Sequence, residues 1–148
     1  ISKTLPQIKF EGRVQYINKG KLKNLLNKNE KILIDGCHSE ASAKNLYNYL
    51  KTVKGPIYGI WGMQKNKLPE KFIKSFKKIF KKIITIPIQD EPNALMPKEL
   101  RVISEKFGIR TEACTSIEKA LKKLSSAEKK TIVIFGSLYL IGSVLSKN

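Results

Sequence analysis

Four short segments carry the residues best suited to chemistry, and each stands where an apolar run ends. They are Asp35-Gly36-Cys37-His38-Ser39, Gly62-Met63-Gln64-Lys65-Asn66-Lys67, Gln89-Asp90-Glu91 and Gly136-Ser137-Leu138-Tyr139. The first holds the only histidine of the chain, close behind an aspartate. An aspartate at a strand end accepts hydrogen bonds from hydroxyls such as those of a ribose, or orients a neighbour. The imidazole stacks or hydrogen-bonds, and a helix starting behind Ser39 turns its free N–H groups toward an anion. The same residues also suit purely structural work, Asp35 as a turn former and Ser39 as a helix cap. On local pattern alone both readings stand.

Complete catalytic motifs are missing. No G-x-x-x-x-G-K-[ST] occurs, because Gly12 and Gly20-Lys21 are too far apart and Leu22 follows. Gly59 and Gly62 give only G-x-x-G, short of the dinucleotide fingerprint. Gly136-Ser137 lacks the spacing of a nucleophile elbow, and one histidine leaves no second base for a triad. Cys37 and Cys114 lie outside any Cys-x-x-Cys spacing with no acidic cluster to complete a zinc site, so they read as buried, reduced thiols of a cytosolic protein. No catalytic residue and no metal ligand is assigned. The chain reads as a domain that helps bind a ligand while the chemistry is supplied elsewhere.

The elements that must position these turns follow from hydropathy. Lys31 to Asp35, Ile57 to Gly62, Ile83 to Pro87, Arg110 to Cys114 and Thr131 to Gly136 are short apolar runs ending at turn residues, the pattern of buried strands. Between and after them, helical spacing runs over 41–53, 69–81, from Pro97 to a stop at Gly108, 116–125 and 138–145. On the second helix Phe72, Ile73, Phe76, Ile79 and Phe80 form the inner stripe, while lysines 71, 74, 77, 78, 81 and 82 face water. Five strands alternating with five helices predict right-handed βαβ units, a mostly parallel sheet and helices on both of its faces. Ligands of such sheets gather beyond the carboxyl ends of the strands, where the four segments fall. Residues 1–30 are polar and irregular, a linker with a candidate edge strand over 13–17, and 31–148 form the α/β domain.

Composition sets the outer bounds. The chain has 148 residues, 41% of them apolar in regular blocks, which excludes a disordered basic tail. No apolar stretch approaches the roughly 20 residues of a spanning helix. It begins Ile1-Ser2-Lys3 without an initiator methionine, as a piece of a longer protein would. The formal charge of +17 points toward nucleic acid, yet only Arg13, Arg101 and Arg110 are arginines and all other basic residues are lysines. Base readout and bidentate phosphate gripping favour arginine. The charge therefore reads mainly as a solvated coat, with a share left to draw in anionic ligands.

Taken in order, the turns resemble a known family. Gly12 to Gln15, then Ile32 to Ser39 opening an Ala-containing helix, then Gly62-Met63, the helix entry over 93–100 and Gly136 to Gly142 resemble the C-terminal domain of folylpolyglutamate synthase/dihydrofolate synthase, of the Mur ligase superfamily. The resemblance spans nearly the whole chain and implies a Rossmann-like domain of the Mur ligase C-terminal type. It further implies an ATP-dependent ligase that activates a carboxylate as an acyl phosphate, which the amine of glutamate attacks with Mg²⁺ assisting. Dihydropteroate or a folate would be the acceptor. The P-loop and most of the metal site would belong to an N-terminal domain, with this domain closing over the nucleotide. By carry-over, Arg13 would reach ATP phosphates, Asp35 and His38 would contact the nucleotide, and Ser137 and Tyr139 would lie near the incoming glutamate. Alone, the chain would be inactive.

Three departures stand out: Cys37 replaces Ala, Ser39 replaces the usual Asn, and Lys65-Asn66-Lys67 stands where the family often has Asp-Lys-Asp. The last removes an acidic contact. A peptidoglycan Mur ligase would use a similar domain, although Gly-Ser-Leu-Tyr favours the folate branch. A basic α/β nucleic-acid-binding module and a free-standing mononucleotide-binding domain are the other readings of the residues.

Overall fold

The computed structural model describes residues 14–148, so Arg13 and Gly12 lie outside the described residues. Six strands form one sheet: β1 (Gln15–Ile17), β2 (Glu30–Asp35), β3 (Ile57–Trp61), β4 (Lys82–Thr85), β5 (Thr111–Ala113) and β6 (Lys130–Phe135). Their order is β1-β2-β6-β3-β4-β5, with β1 antiparallel to β2 and every other pair parallel. The helices are α1 (Glu40–Leu50), α2 (Pro69–Lys74), α3 (Pro97–Glu105), α4 (Ile117–Leu124) and α5 (Leu138–Lys147).

Strand alternation decides which helices cover which face. Leu33, Trp61, Ile83, Val133 and Phe135 point toward α1, α2 and α3, burying Ala43, Leu46, Phe72, Phe76 and Leu100. Ile32, Ile34, Ile60, Ile84, Ile132 and Ile134 point the other way, onto Ile117, Leu121 and Leu124 of α4 and Leu140, Ile141 and Val144 of α5. The predicted α/β class, with helices on both faces of a mostly parallel sheet, is the fold observed. Cys37 and Cys114 are buried free thiols. No helix among the described residues is long and apolar enough to cross a membrane.

The second helix is shorter than its periodicity predicts. Regular α-helix ends at Lys74, and the chain continues to Ile79 in tight turns, with Phe76 N–H donating to the Ile73 carbonyl and Ile79 N–H to that of Phe76. The tighter winding still delivers Phe76 and Phe80 inward, each with its ring centroid 5.1 Å from that of Phe135. Aromatic packing here outweighs the α-helical pattern. The third strand is also displaced, covering Lys82–Thr85 and not extending to Pro87. Proline has no N–H to give to a ladder.

Candidate functional site

All four segments lie at the carboxyl edge of the parallel strands, and glycine lets two of them interlock. A Cβ on Gly36 would run into the Leu138 side chain, so the turn after β2 rests directly on the turn after β6. Gly136 has φ +118°, and a Cβ there would strike the Gly62 carbonyl and the Trp61 ring. Three strand ends are thereby pressed together around residue 136. Cys37 is buried within the first of these turns, its main-chain N–H bonded to Asp35.

Asp35 is 5% exposed and accepts the Cys37 main-chain N–H at 2.8 Å. Burial raises its carboxyl pKa to about 6, and the bonds from Cys37 offset only part of that shift. Burial, and then the Asp35 charge, push the Cys37 thiol well above its ordinary range. A buried carboxylate with few internal donors is costly, and such groups concentrate at sites that bind or react.

Ser39 begins α1 as a capping residue. Its hydroxyl accepts the Ser42 N–H at 3.1 Å, and the Ser42 hydroxyl accepts the Ser39 N–H at 3.0 Å in return. His38 stands half-buried just ahead, its Nδ1 3.1 Å from the Gly36 carbonyl and its N–H donating to the Ser42 hydroxyl at 3.2 Å. The Gly36 contact steadies the ring at the mouth of a cleft of about 370 Å³, whose lining includes His38, Ser39, Glu40, Lys67 and Lys71. Ser137 is buried as the cap of α5, accepting N–H groups of Tyr139 at 3.0 Å and Leu140 at 3.4 Å. Tyr139 is exposed and lines a different groove, about 760 Å³, with Gln89, Asp90, Leu138 and Lys147.

The structure therefore brings Asp35 and Ser137 to one interlocked pair of turns but sends His38 and Tyr139 into separate clefts. The second and third segments are stitched to each other. Gln64 Nε2 donates to Glu91 at 2.9 Å, and Lys65 N–H donates to the Asn93 carbonyl at 2.8 Å. Sequence reasoning read Cys37 as a buried thiol, as it is, and missed that its N–H holds the Asp35 carboxylate. Lys67 stands in one of the four segments named from sequence, whereas Lys71 was missed as a cleft residue, since only its shared lining with His38 marks it. Among the described residues, no group of three or more His, Cys, Asp or Glu side chains is placed to hold a metal ion.

This is a doubly wound α/β domain with its candidate site at the carboxyl edge, where ligands of such sheets gather. The family profile for dihydrofolate synthetase, C-terminal domain, matches residues 15–147, and the chain belongs to that family. Comparison with curated protein sequences gives no match. Among solved structures, the chain is similar to folylpolyglutamate synthase from Thermotoga maritima, with TM-score 0.75 and 24% identity over 93% of this chain and 30% of that one. It is also similar to E. coli FolC in complex with DHPP and ADP, with TM-score 0.73 and 15% identity over 93% of this chain and 31% of that one. A third is the bifunctional folylpolyglutamate synthase/dihydrofolate synthase of Yersinia pestis complexed with AMPPNP and Mn ion, at TM-score 0.74 and 15% identity, covering 93% and 31%. The chain thus spans less than a third of the length of these proteins.

Proposed function

We propose that this chain serves as the C-terminal domain of an ATP-dependent ligase that joins glutamate to dihydropteroate or to folates. The observation that carries this reading is the interlocking of the Asp35–Ser39 turn with the Gly136–Tyr139 turn at the carboxyl edge. It gives a family member one buried acceptor, one imidazole and a helix start in a single place.

In the proposed reaction the acceptor carboxylate attacks the γ-phosphorus of ATP, releasing ADP and forming an acyl phosphate. The glutamate amine then attacks the acyl carbon, forming the amide and expelling phosphate. An N-terminal P-loop domain of the same polypeptide would hold the phosphates and the Mg²⁺, which when bound supplies charge neutralisation; residues 1–30 serve as the linker from it and the edge strand that pairs with β2. Asp35 accepts from a nucleotide hydroxyl, His38 contacts the nucleotide from the cleft, and Arg13 reaches toward its phosphates. Ser137, by capping α5, holds the loop that carries Tyr139 near the incoming glutamate. Closure of this domain excludes water from the acyl phosphate. The setting is cytoplasmic, with neither membrane nor nucleic acid as a required partner.

Titration of the ¹⁵N-labelled chain with ADP tests the reading. Amide shifts concentrated on Gly36 to Ser39 are expected, with weak affinity and no glutamate ligation by the chain alone. ADP that shifts only residues away from the carboxyl edge would refute the nucleotide assignments, and ligation by the isolated chain would refute the division of labour.

A further inference from the structure

A second pocket lies at the amino edge of the sheet, away from the turns described above. Asp35 and Phe135 end β2 and β6 at the candidate site, whereas Lys31 and Thr131 are paired near the start of the same strands, roughly 13 Å of strand away. A cavity of about 330 Å³ opens beside Lys31, lined also by Tyr16 of β1, Tyr49 of α1, Lys54 beyond the end of α1 and Lys129 just ahead of β6. Strand parity explains part of this gathering. Tyr16 is the register partner of Leu33, so Tyr16, Lys31 and Leu33 share the face that α1 covers. No carboxylate lines the cavity. Lys31, Lys54 and Lys129 have none within salt-bridge distance among the described residues. Glu30 and Glu128, the sequence neighbours of Lys31 and Lys129, are already engaged, by Lys130 at 2.6 Å and by the Tyr58 hydroxyl at 2.9 Å.

The Tyr16 and Tyr49 hydroxyls meet at 2.8 Å. Two phenols joined by one hydrogen bond hold two protons and use one, which leaves one O–H free to donate. Burial, and then the bond to Tyr49, raise the Tyr16 pKa to about 12, so its hydroxyl keeps its proton at neutral pH. Lys31 is held over the Tyr16 ring, its Nζ 5.9 Å from the centroid. Three ammonium groups around one cavity repel each other, and the half-charge at the carbonyl end of α1 offsets only part of that cost. A bound anion would remove the rest. The volume is at the small end for a ligand site, which suits a compact anion. The lysines line one cavity from three parts of the chain and do not track a groove, and no arginine is among its lining residues, unlike a surface built for a nucleic-acid strand. We propose that this pocket binds a phosphate dianion, free or carried by a small metabolite, through Lys31, Lys54, Lys129 and the free tyrosine O–H. The site is separate from the carboxyl-edge turns and independent of the ligase reading.

The test is titration of the ¹⁵N-labelled chain with inorganic phosphate and, separately, with ribose 5-phosphate, each against sodium chloride of equal ionic strength. Saturable amide shifts are expected at residues 31, 49, 52–54 and 129–131, with a higher Tm than chloride gives; the tighter of the two ligands identifies the source of the phosphate. K31Q/K54Q/K129Q should weaken binding by roughly three- to a hundred-fold, the range for three exposed ion pairs lost together. K44Q/K74Q/K78Q removes the same charge elsewhere and should change it by less than about two-fold. Tyr16→Phe or Tyr49→Phe alone still leaves one free O–H, so the tyrosine contribution should disappear only in Y16F/Y49F. Thermal melts confirm that the variants fold. Shifts no larger than those in chloride, or binding weakened equally by the two triple variants, overturn the proposal. Oligo(dT) that moves these residues when neither phosphate ligand does would overturn it in favour of a nucleic-acid surface. ADP shifts at Gly36 to Ser39 report on the ligase reading separately, so either can fail alone.

Discussion

Glu30 and Lys130 form the first register pair of β2 and β6, and Asp35 and Phe135 form the last. The two strands that present the candidate site are thus pinned at their opposite ends by an ion pair whose side chains are 0% and 1% exposed. The Glu30 carboxylate accepts the Lys130 ammonium at 2.6 Å, the Ser125 hydroxyl at 2.7 Å, and the N–H groups of Ser126 at 2.7 Å and Asn27 at 2.8 Å. Lys130 also donates to the Ser126 hydroxyl at 2.6 Å and sits 5.6 Å from the Tyr58 ring centroid. Burial pushes the Glu30 carboxyl up, but these bonds outweigh it and hold the pKa below the usual value.

Removing one partner of a buried pair costs about 3–5 kcal/mol, out of a total stability of about 5–15. Lys130→Met leaves the carboxylate with three donors, so we expect the low end, about 3 kcal/mol. Glu30→Leu leaves the ammonium with one hydroxyl and a ring face, and strands the Asn27 and Ser126 N–H groups as well. Its cost should reach about 5 kcal/mol. The double variant puts two apolar side chains in place of the charges and should be more stable than either single one. Urea unfolding at constant m-value measures all three. Additive losses, or a Glu30→Leu cost under about 1 kcal/mol, would refute the reasoning. Because the folded pKa of Glu30 lies below its unfolded one, its contribution is present above the unfolded pKa. It is lost as pH falls through the folded value, and Lys130→Met should shrink that acid sensitivity.

The site itself offers further tests. Gly136→Ala combines a φ of +118° with contact against the Gly62 carbonyl and should lose about 2–4 kcal/mol, seen as a lower Tm; an unchanged Tm would show that the turn relaxes freely. Asp35 has its pKa raised from 3.8 to about 6, so ionising it in the fold costs stability as pH rises through that window. Asp35→Asn should therefore stabilise the chain by about 2 kcal/mol at pH 7.5, with the gain vanishing below about pH 4; chemical denaturation at the two pH values decides. His38→Ala should leave the melting curve of the chain intact, remove most ADP-induced shifts at Gly36 to Ser39, and lower ligase activity in the full-length enzyme. Unaltered ADP shifts would remove His38 from the site.

Much of the fold was legible because its signals are local. Each buried strand is an apolar run closed by a turn residue, and Ser39, Ser116 and Ser137 cap their helices as short polar residues at such positions do. The end of α2 was not legible: the apolar spacing over 69–81 is helical, and only the ring packing of Phe76 and Phe80 on Phe135 reveals why the chain winds tighter. The turns of the candidate site could be named from sequence, but their neighbours could not.

The sequence by itself determined the α/β class, the carboxyl-edge turns and the family, since periodicity, turn chemistry and motif order are all written along the chain. The tertiary structure alone decided that β6 is inserted between β2 and β3, a pairing of segments remote in sequence. That insertion sets Gly136 against Gly62 and Trp61, and the Gly36 turn against Leu138. It also buries Glu30 against Lys130, the first register pair of β2 and β6. Long-range packing, in which backbone approach and desolvation are settled together, separates a turn that merely ends a strand from one that helps build a site.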